Sequence, residues 1–284
     1  MEKPRVNFEK YVSIIEKSHS NKAVILPYLK GSNIIDFGAG SGKLAEMIKA
    51  INPNSTIIAV DNDPEMGKLL RESDSVDIFA PSLFDVSESV DTIIFNSVLH
   101  EVESYATFPT KVNKHPKTVV GNHKSLYSER YIEGDLIDLL IDANTLLKAG
   151  GRIIIRDGFL DTFNDEISVR IKNAQEDFPI DRYIYDYAYQ KSLIQVGNRV
   201  VGKFNEVKEF LNKLTWGKES LDREILEKVN TFSEEQWREI LTEAGFEIIE
   251  MKTYMQPSYF AYLQQKVDLD RVWDTHILIV AEKK

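Results

Sequence analysis

Residues 34–43 read Ile34-Ile35-Asp36-Phe37-Gly38-Ala39-Gly40-Ser41-Gly42-Lys43. An apolar run from Asn33 to Phe37 opens onto Gly38, Gly40 and Gly42, and an amphipathic segment carrying Leu44, Ala45, Met47, Ile48 and Ile51 follows at once. The order is strand, glycine turn, helix. Glycines let the backbone turn sharply and approach a ligand without a Cβ clash. The helix behind them offers unpaired N–H groups and the positive end of its dipole. A nucleotide-like ligand lying across the first strand-to-helix turn is the physical expectation.

Spacing narrows the ligand. The dinucleotide fingerprint G-x-G-x-x-G needs a glycine at position 43, where the chain has Lys43. A P-loop needs four residues between its glycines and then Lys-Ser/Thr; here three residues separate Gly38 from Gly42, and Leu44 follows Lys43. The remaining pattern, Asp36-Phe37-Gly38-x-Gly40-x-Gly42, resembles the first motif of class I S-adenosylmethionine-dependent methyltransferases.

Outward from that stretch, Ser55–Val60 is a β-branched run ending in Asp61-Asn62-Asp63-Pro64-Glu65-Met66. Asp61 lies roughly 20 residues beyond the glycines, at the end of the second strand, where a carboxylate can accept hydrogen bonds from two ribose hydroxyls. The same residues are strong turn and helix-start chemistry. In the family the matching acid binds the ribose, and an apolar residue just beyond packs on adenine; Met66 or Asn62 is in range for that second role. Asp91–Asn96 is expected as the fourth strand, followed by Ser97-Val98-Leu99-His100-Glu101-Val102. Leu147-Lys148-Ala149-Gly150-Gly151 into Arg152–Asp157 resembles the family's double-glycine turn and fifth strand, with alanine at the common proline position. Ser233-Glu234-Glu235-Gln236-Trp237 opens a helix as a capping box. Glu247–Met251 and Thr275–Glu282 are the expected last strands.

The resemblance implies an α/β fold: a seven-stranded, mostly parallel, doubly wound sheet with its last strand antiparallel and with helical cap insertions. It implies S-adenosylmethionine as cofactor, with Asp36, Gly38, Gly40, Gly42, Asp61, Asn62, Met66, Ser82, Leu83 and Asn96 lining its site. The third strand is expected over Val76–Phe79, and Ala80-Pro81-Ser82-Leu83-Phe84-Asp85 follows without the acidic residue that often receives the adenine amino group. Ser82 is the nearest substitute. The expected organisation is an N-terminal helical cover (1–32), a cofactor-binding core (33–158), an inserted helical substrate cap (159–231) and a core completion (232–284).

At 284 residues with 43% apolar content the chain can bury a large core. No run of about 18 apolar residues is present, so no membrane span is expected. The start, Met1 to Phe8, lacks the apolar segment of a secretory signal. With no cysteine, disulfides, thiolate metal sites and cysteine nucleophiles are excluded, which fits a reducing, cytoplasmic setting. A net charge of −10 makes nucleic acid an unexpected partner.

One local exception is basic. Lys111, Lys114, Lys117, Lys124 and Arg130 stand against a single acid, Glu129, with His115 and His123 among them. Pro109, Pro116 and Gly121 break any helical period, so residues 103–134 are expected as an inserted loop over the site, either solvated or a lid for an anionic substrate. A second insertion, 159–231, is far longer than an ordinary β-to-α link. Helices are expected at Asp165–Ala174 and Phe204–Leu214. Tyr183, Tyr185, Tyr187 and Tyr189 alternate, which puts them on one face of a strand or fans them around a helix. They line a pocket or pack the cap. A third excursion covers Tyr254–Trp273, and the N-terminal stretch Phe8–Ile15 is amphipathic and placed to cover the cofactor.

Methyl transfer from a sulfonium is an in-line displacement in which the protein mainly orients the partners. A base is needed only for a protonated acceptor. His100, beside Glu101, is the catalytic candidate, with a carboxylate to set its tautomer. Arg156 can clamp an acceptor carboxylate or phosphate, or pair with Asp157. No metal triad stands out and no metal is expected; His100 and Glu101 with Asp157 form the nearest mixed nitrogen and oxygen group. Asn96 is followed by Ser97-Val98 rather than the Pro-Pro-aromatic turn of amino-group enzymes. The expected acceptor is a small molecule, with an RNA methyltransferase acting through loop 111–130, a regulatory S-adenosylmethionine binder and a nicotinamide dehydrogenase as the alternatives.

Overall fold

The computed structural model describes residues 19–106, 136–172, 180–187, 192–214, 221–268 and 273–284. The basic segment 111–130 with His115 and His123, and the Phe8–Ile15 stretch, lie outside the described residues.

Among the described residues eleven strands are formed: β1 (Asn33–Phe37), β2 (Thr56–Val60), β3 (Ile78–Ala80), β4 (Val90–Asn96), β5 (Leu147–Gly158), β6 (Glu166–Ile171), β7 (Ile194–Val196), β8 (Arg199–Lys203), β9 (Phe246–Tyr254), β10 (Val267–Asp268) and β11 (His276–Lys283). Seven of them make one sheet in the order β3-β2-β1-β4-β5-β11-β9. β11 runs antiparallel to both β5 and β9, while the β1, β2, β3, β4 and β5 pairings are parallel. This is the expected seven-stranded sheet with its antiparallel last strand.

Alternation along the strands builds two cores. Ile35 and Phe37, Ile93 and Phe95, Ile153 and Ile155, and Ile277 and Ile279 enter one cluster with Leu99, Val102, Leu139 and Trp237. Ile34, Ile94, Ile154 and Leu278 enter the opposite cluster with Leu44, Ala45, Ile48 and Ile25. Period-two strands buried on both faces require this division. The helix after β1 (Lys43–Ile51) thus covers one face, and the helix after β4 (Leu99–Ala106) covers the other. The chain changes direction between the neighbouring strands β1 and β4. A ligand crevice opens at such a switch point, at the carboxyl ends of the strands.

The insertions depart from expectation. Of the helix expected over Asp165–Ala174, the described part is not helical: Glu166–Ile171 is strand β6, in which Val169 and Ile171 are buried and Arg170 is exposed, and residues 173–174 lie outside the described residues. Ile167, Val169 and Ile171 recur every second residue, a strand period that outweighs local helix preference. β10, β6, β8 and β7 form a second, four-stranded sheet. β10 comes from the third excursion and pairs Val267 with Ile171, so two insertions far apart in the chain share one sheet and one apolar cluster. The Phe204–Leu214 helix forms where expected. The tyrosine-rich stretch is helical over Ile180–Asp186; Tyr183 is buried and stacks on Tyr187 at 4.9 Å, as i,i+4 neighbours on a helix do. The third strand begins at Ile78 rather than Val76, and the helix after β4 runs to Ala106, so Glu103–Ala106 is helix rather than loop. Among the described residues no helix is long and apolar enough to cross a membrane.

Candidate active site

The glycine turn forms as its spacing requires. Gly38 has φ +72°, and a Cβ there would lie 2.6 Å from Val98 Cγ2. Gly40 has φ +55° and would meet nothing within 4 Å, so its backbone faces open space at the rim. The Gly40 N–H donates to Asp61 Oδ2 (2.8 Å), and the Asp63 N–H donates to Asp61 Oδ1 (2.9 Å). These bonds hold the Asp61 carboxylate against the turn. Each oxygen keeps a lone pair for a further donor. Burial pushes the Asp61 carboxyl up to about 6 despite the two backbone donors.

The strand period explains the next group. Two residues beyond Ile34, Ile94 and Ile154, on the same sheet face, stand Asp36, Asn96 and Arg156. Two residues before Leu278 on antiparallel β11 stands His276. A row of polar side chains therefore crosses the rim of β1, β4, β5 and β11. Asp36 is 2% exposed, and its Oδ2 has no hydrogen-bond partner. Burial raises its carboxyl to about 7, opposed by the Lys22 ammonium and reinforced by Asp61. Asn96 is 5% exposed, and its Nδ2 likewise lacks a partner. Orphaned buried polar atoms are costly and rare. Here an orphaned carboxylate oxygen and an orphaned amide N–H₂ flank the glycine turn.

Arg156 is buried at 3% exposure, and all its hydrogen bonds reach neutral oxygens. Its Nε donates to Tyr254 Oη (2.9 Å), Nη1 to Ser97 Oγ (2.6 Å) and Asn96 Oδ1 (3.3 Å), and Nη2 to Gln256 Oε1. Among the described residues no carboxylate pairs with it. Asp157 in particular does not, because consecutive strand residues point to opposite faces. Lys22 lies nearby, its ammonium pushed down by burial and then by the Arg156 charge. Ser97, at the end of β4, holds φ +60°. A non-glycine residue there is strained, which is typical of functional sites.

On the other face, Asp157 meets His100. His100 Nδ1–H donates to Asp157 Oδ1 (2.7 Å), and the His100 backbone N–H donates to Oδ2 (3.1 Å). The carboxylate setting the tautomer is thus Asp157, not the sequence neighbour Glu101, which pairs with Arg223 at 2.8 Å. Burial alone would lower the His100 pKa; the charges of Asp157, Glu101 and Glu227 overcome it and raise it to about 9. His276 is the opposite case. Burial and the charges of Arg156, Lys208 and His100 push it well below its usual value, so its ring is neutral.

The other expected residues are less central. Met66 is buried against the core and Leu83 is 2% exposed. Ser82 caps a short turn, accepting from the Phe84 N–H at 3.2 Å. Asn62 is half-buried beside Asp61. Lys22, Tyr254, Gln256, Glu227 and Arg223 had no signal in local spacing. His276 had one: it extends the same two-residue step, which becomes visible once the last strand is known to be antiparallel.

A switch-point crevice carrying this turn, Asp61 and the polar row defines a class I S-adenosylmethionine-dependent methyltransferase. A family model described as a methyltransferase domain matches residues 17–251, and the chain belongs to that family. S-Adenosylmethionine is its cofactor, and the residues present fit it: the open backbone at Gly40, the two-armed Asp61, and the unpartnered Asp36 Oδ2 and Asn96 Nδ2. No curated protein matches the chain by sequence. The fold is similar to the crystal structure of TnmH (TM-score 0.53, 11% identity, 98% of this chain and 57% of that one). It is also similar to an S-adenosylmethionine-dependent methyltransferase from Mesorhizobium loti (0.51, 14%, 94% and 97%). A putative methyltransferase in complex with the Haloferax volcanii activator Trm112 is a third (0.50, 13%, 98% and 98%). The chain therefore spans little more than half of TnmH but nearly all of the other two.

Proposed function

We propose that the protein transfers the methyl group of S-adenosylmethionine to a small acceptor that carries a carboxylate or phosphate. The observation that carries this reading is Arg156, a buried guanidinium bonded only to neutral oxygens at the rim of the crevice. A buried charge without a counter-ion is costly, and an anionic ligand removes that cost. The cofactor supplies the activated methyl group. The chain's own groups then divide the work. Asp36 Oδ2 and Asn96 Nδ2 would hold the amino-acid end of the cofactor, Asp61 would hold the ribose, and the second sheet and its helices would cap the acceptor side. His100, its Nδ1 held by Asp157, directs its other ring nitrogen toward Glu101 and Glu227.

The test is methyl incorporation from labelled S-adenosylmethionine into a metabolite extract and, separately, into total RNA. Label in anionic small molecules, lost in Arg156→Met while adenosylhomocysteine still binds, is the expected result. Label only in RNA would move the reading to the basic segment 111–130. No label in either pool, with the cofactor still bound, would leave a regulatory binder.

A further inference from the structure

His100, Glu101 and Glu227 come from two separate parts of the chain. His100 and Glu101 open the helix after β4, whereas Glu227 lies in the cap just beyond the Leu221–Glu224 helix. One ligand atom of each lies within 4.8 Å of the others. His100 and Glu227 are buried, and Glu101 is half-exposed, which leaves a side for entry. The His100 ring is already committed at one nitrogen: Asp157 Oδ1 takes Nδ1–H at 2.7 Å, which directs Nε2 toward the two glutamates. A carboxylate behind a histidine is the usual support of a metal ligand, fixing the ring and raising its basicity. Nε2 itself makes no hydrogen bond; its nearest acid oxygen is Glu227 Oε2 at 4.0 Å. That separation is too long for a hydrogen bond and slightly wide for two donors on one ion at about 2.1 Å each.

Arg223 orders the carboxylates from behind. Its Nε donates to Glu227 Oε1 (2.9 Å) and its Nη2 to Glu101 Oε1 (2.8 Å). Both bonds use the Oε1 atoms.

We propose that His100 Nε2, Glu227 and Glu101 bind one divalent transition-metal ion at the boundary between the sheet core and the cap. One nitrogen and two carboxylates suit manganese(II), iron(II) or zinc(II), and leave positions open for water or an acceptor oxygen. Binding of the ion is independent of the acceptor; only its use in methyl transfer rests on the reading above, where it would place positive charge beside the acceptor oxygen.

The test uses the full chain after dialysis against chelator. Titration calorimetry with manganese(II) chloride and with zinc(II) chloride is expected to show one site. Spin-echo modulation of the bound manganese(II) is expected to show one directly coordinated ¹⁴N. His100→Asn should abolish that nitrogen signal, and Glu227→Gln should weaken binding at least tenfold, both with adenosylhomocysteine binding retained as the check on folding. Glu101→Gln, at a half-exposed position, gives a second carboxylate variant should Glu227→Gln not fold. Absence of a bound ion in the unaltered chain overturns the inference, and so does manganese(II) bound without nitrogen coupling. A methyltransferase that binds cofactor normally but takes no ion would refute the site and leave the proposed function standing.

Discussion

Asp36 and Asp61 are two carboxylates that burial at one rim pushes up, to about 7 and about 6. Asp61 is held by the Gly40 and Asp63 N–H groups, with lone pairs to spare. If Asp61 accepts from the ribose as proposed, removing it deletes that acceptor and also frees the turn, so Asp61→Ala is expected to weaken adenosylhomocysteine binding by about 10–100-fold in calorimetry. Asp36 makes a pH prediction. Its carboxyl is raised to about 7, so below that pH a proton competes with the cofactor's ammonium group. Affinity should be constant well above pH 7 and fall by up to about tenfold per pH unit below it, steepening as Asp61 protonates near 6. Asp36→Asn should bind more weakly and flatten the step near 7. A step unchanged in that variant would remove Asp36 from the site. Residue by residue, Asp36, the glycines and Asp61 were legible because they sit next to each other in strand and turn patterns. Asp157 was grouped with His100 and Glu101 from the sequence, but that its carboxylate rather than Glu101 takes His100 Nδ1–H was not legible, since 57 positions separate the pair.

Individual elements carry the geometry of the crevice. The turn after β1 needs glycine at 38 twice over, for its φ of +72° and for the 2.6 Å approach to Val98. Gly38→Ala should cost at least about 2 kcal/mol, a fall in Tm of about 4–8 °C. Adding Val98→Ala relieves the contact but not the backbone strain, so part of the loss should return. Full recovery would mean that φ is no constraint. Elements with long periodic patterns were readable: β1, β2, β4, β5, the Phe204–Leu214 helix, and the Glu234–Glu243 helix with its Ser233–Gln236 capping box. β6 differs from the expected helix because Glu166–Ile171 is short and pairs with β8 and with β10, strands about 30 and 100 residues further along the chain. Short apolar runs do not declare whether they are helix or strand until a partner does.

Across the whole molecule the contact between sheet core and cap is built on unusual chemistry. Lys208 of the cap is fully buried; its Nζ donates to the Phe159 carbonyl (3.0 Å) and lies 3.5 Å from the Phe159 ring centroid. Burial lowers its pKa from 10.5 to about 8. The unfolded chain therefore binds more protons than the folded one between pH 8 and 10.5, and this lysine's contribution to stability rises with pH across that window. Below pH 8 it costs up to about 3 kcal/mol relative to a neutral group. Lys208→Met should raise Tm at pH 7 relative to the unaltered chain, and the gap should shrink as pH climbs through 8 toward 10.5. A gap that is constant with pH would show that the lysine carries no perturbed charge.

The amino-acid order by itself determined the sheet, its glycine turn and the cofactor. Period-two burial, a left-handed turn and a carboxylate at a strand end are all local properties, written within a few residues of one another. Tertiary structure alone decided the contacts between distant segments: Arg156 facing neutral oxygens, Asp157 bonded to His100 Nδ1, Glu227 and Arg223 brought beside Glu101, and β10 joined to β6. Those contacts close loops of tens to more than a hundred residues. Their free energy comes from burial and charge shared between distant segments, and no short stretch of sequence carries a pattern that records it.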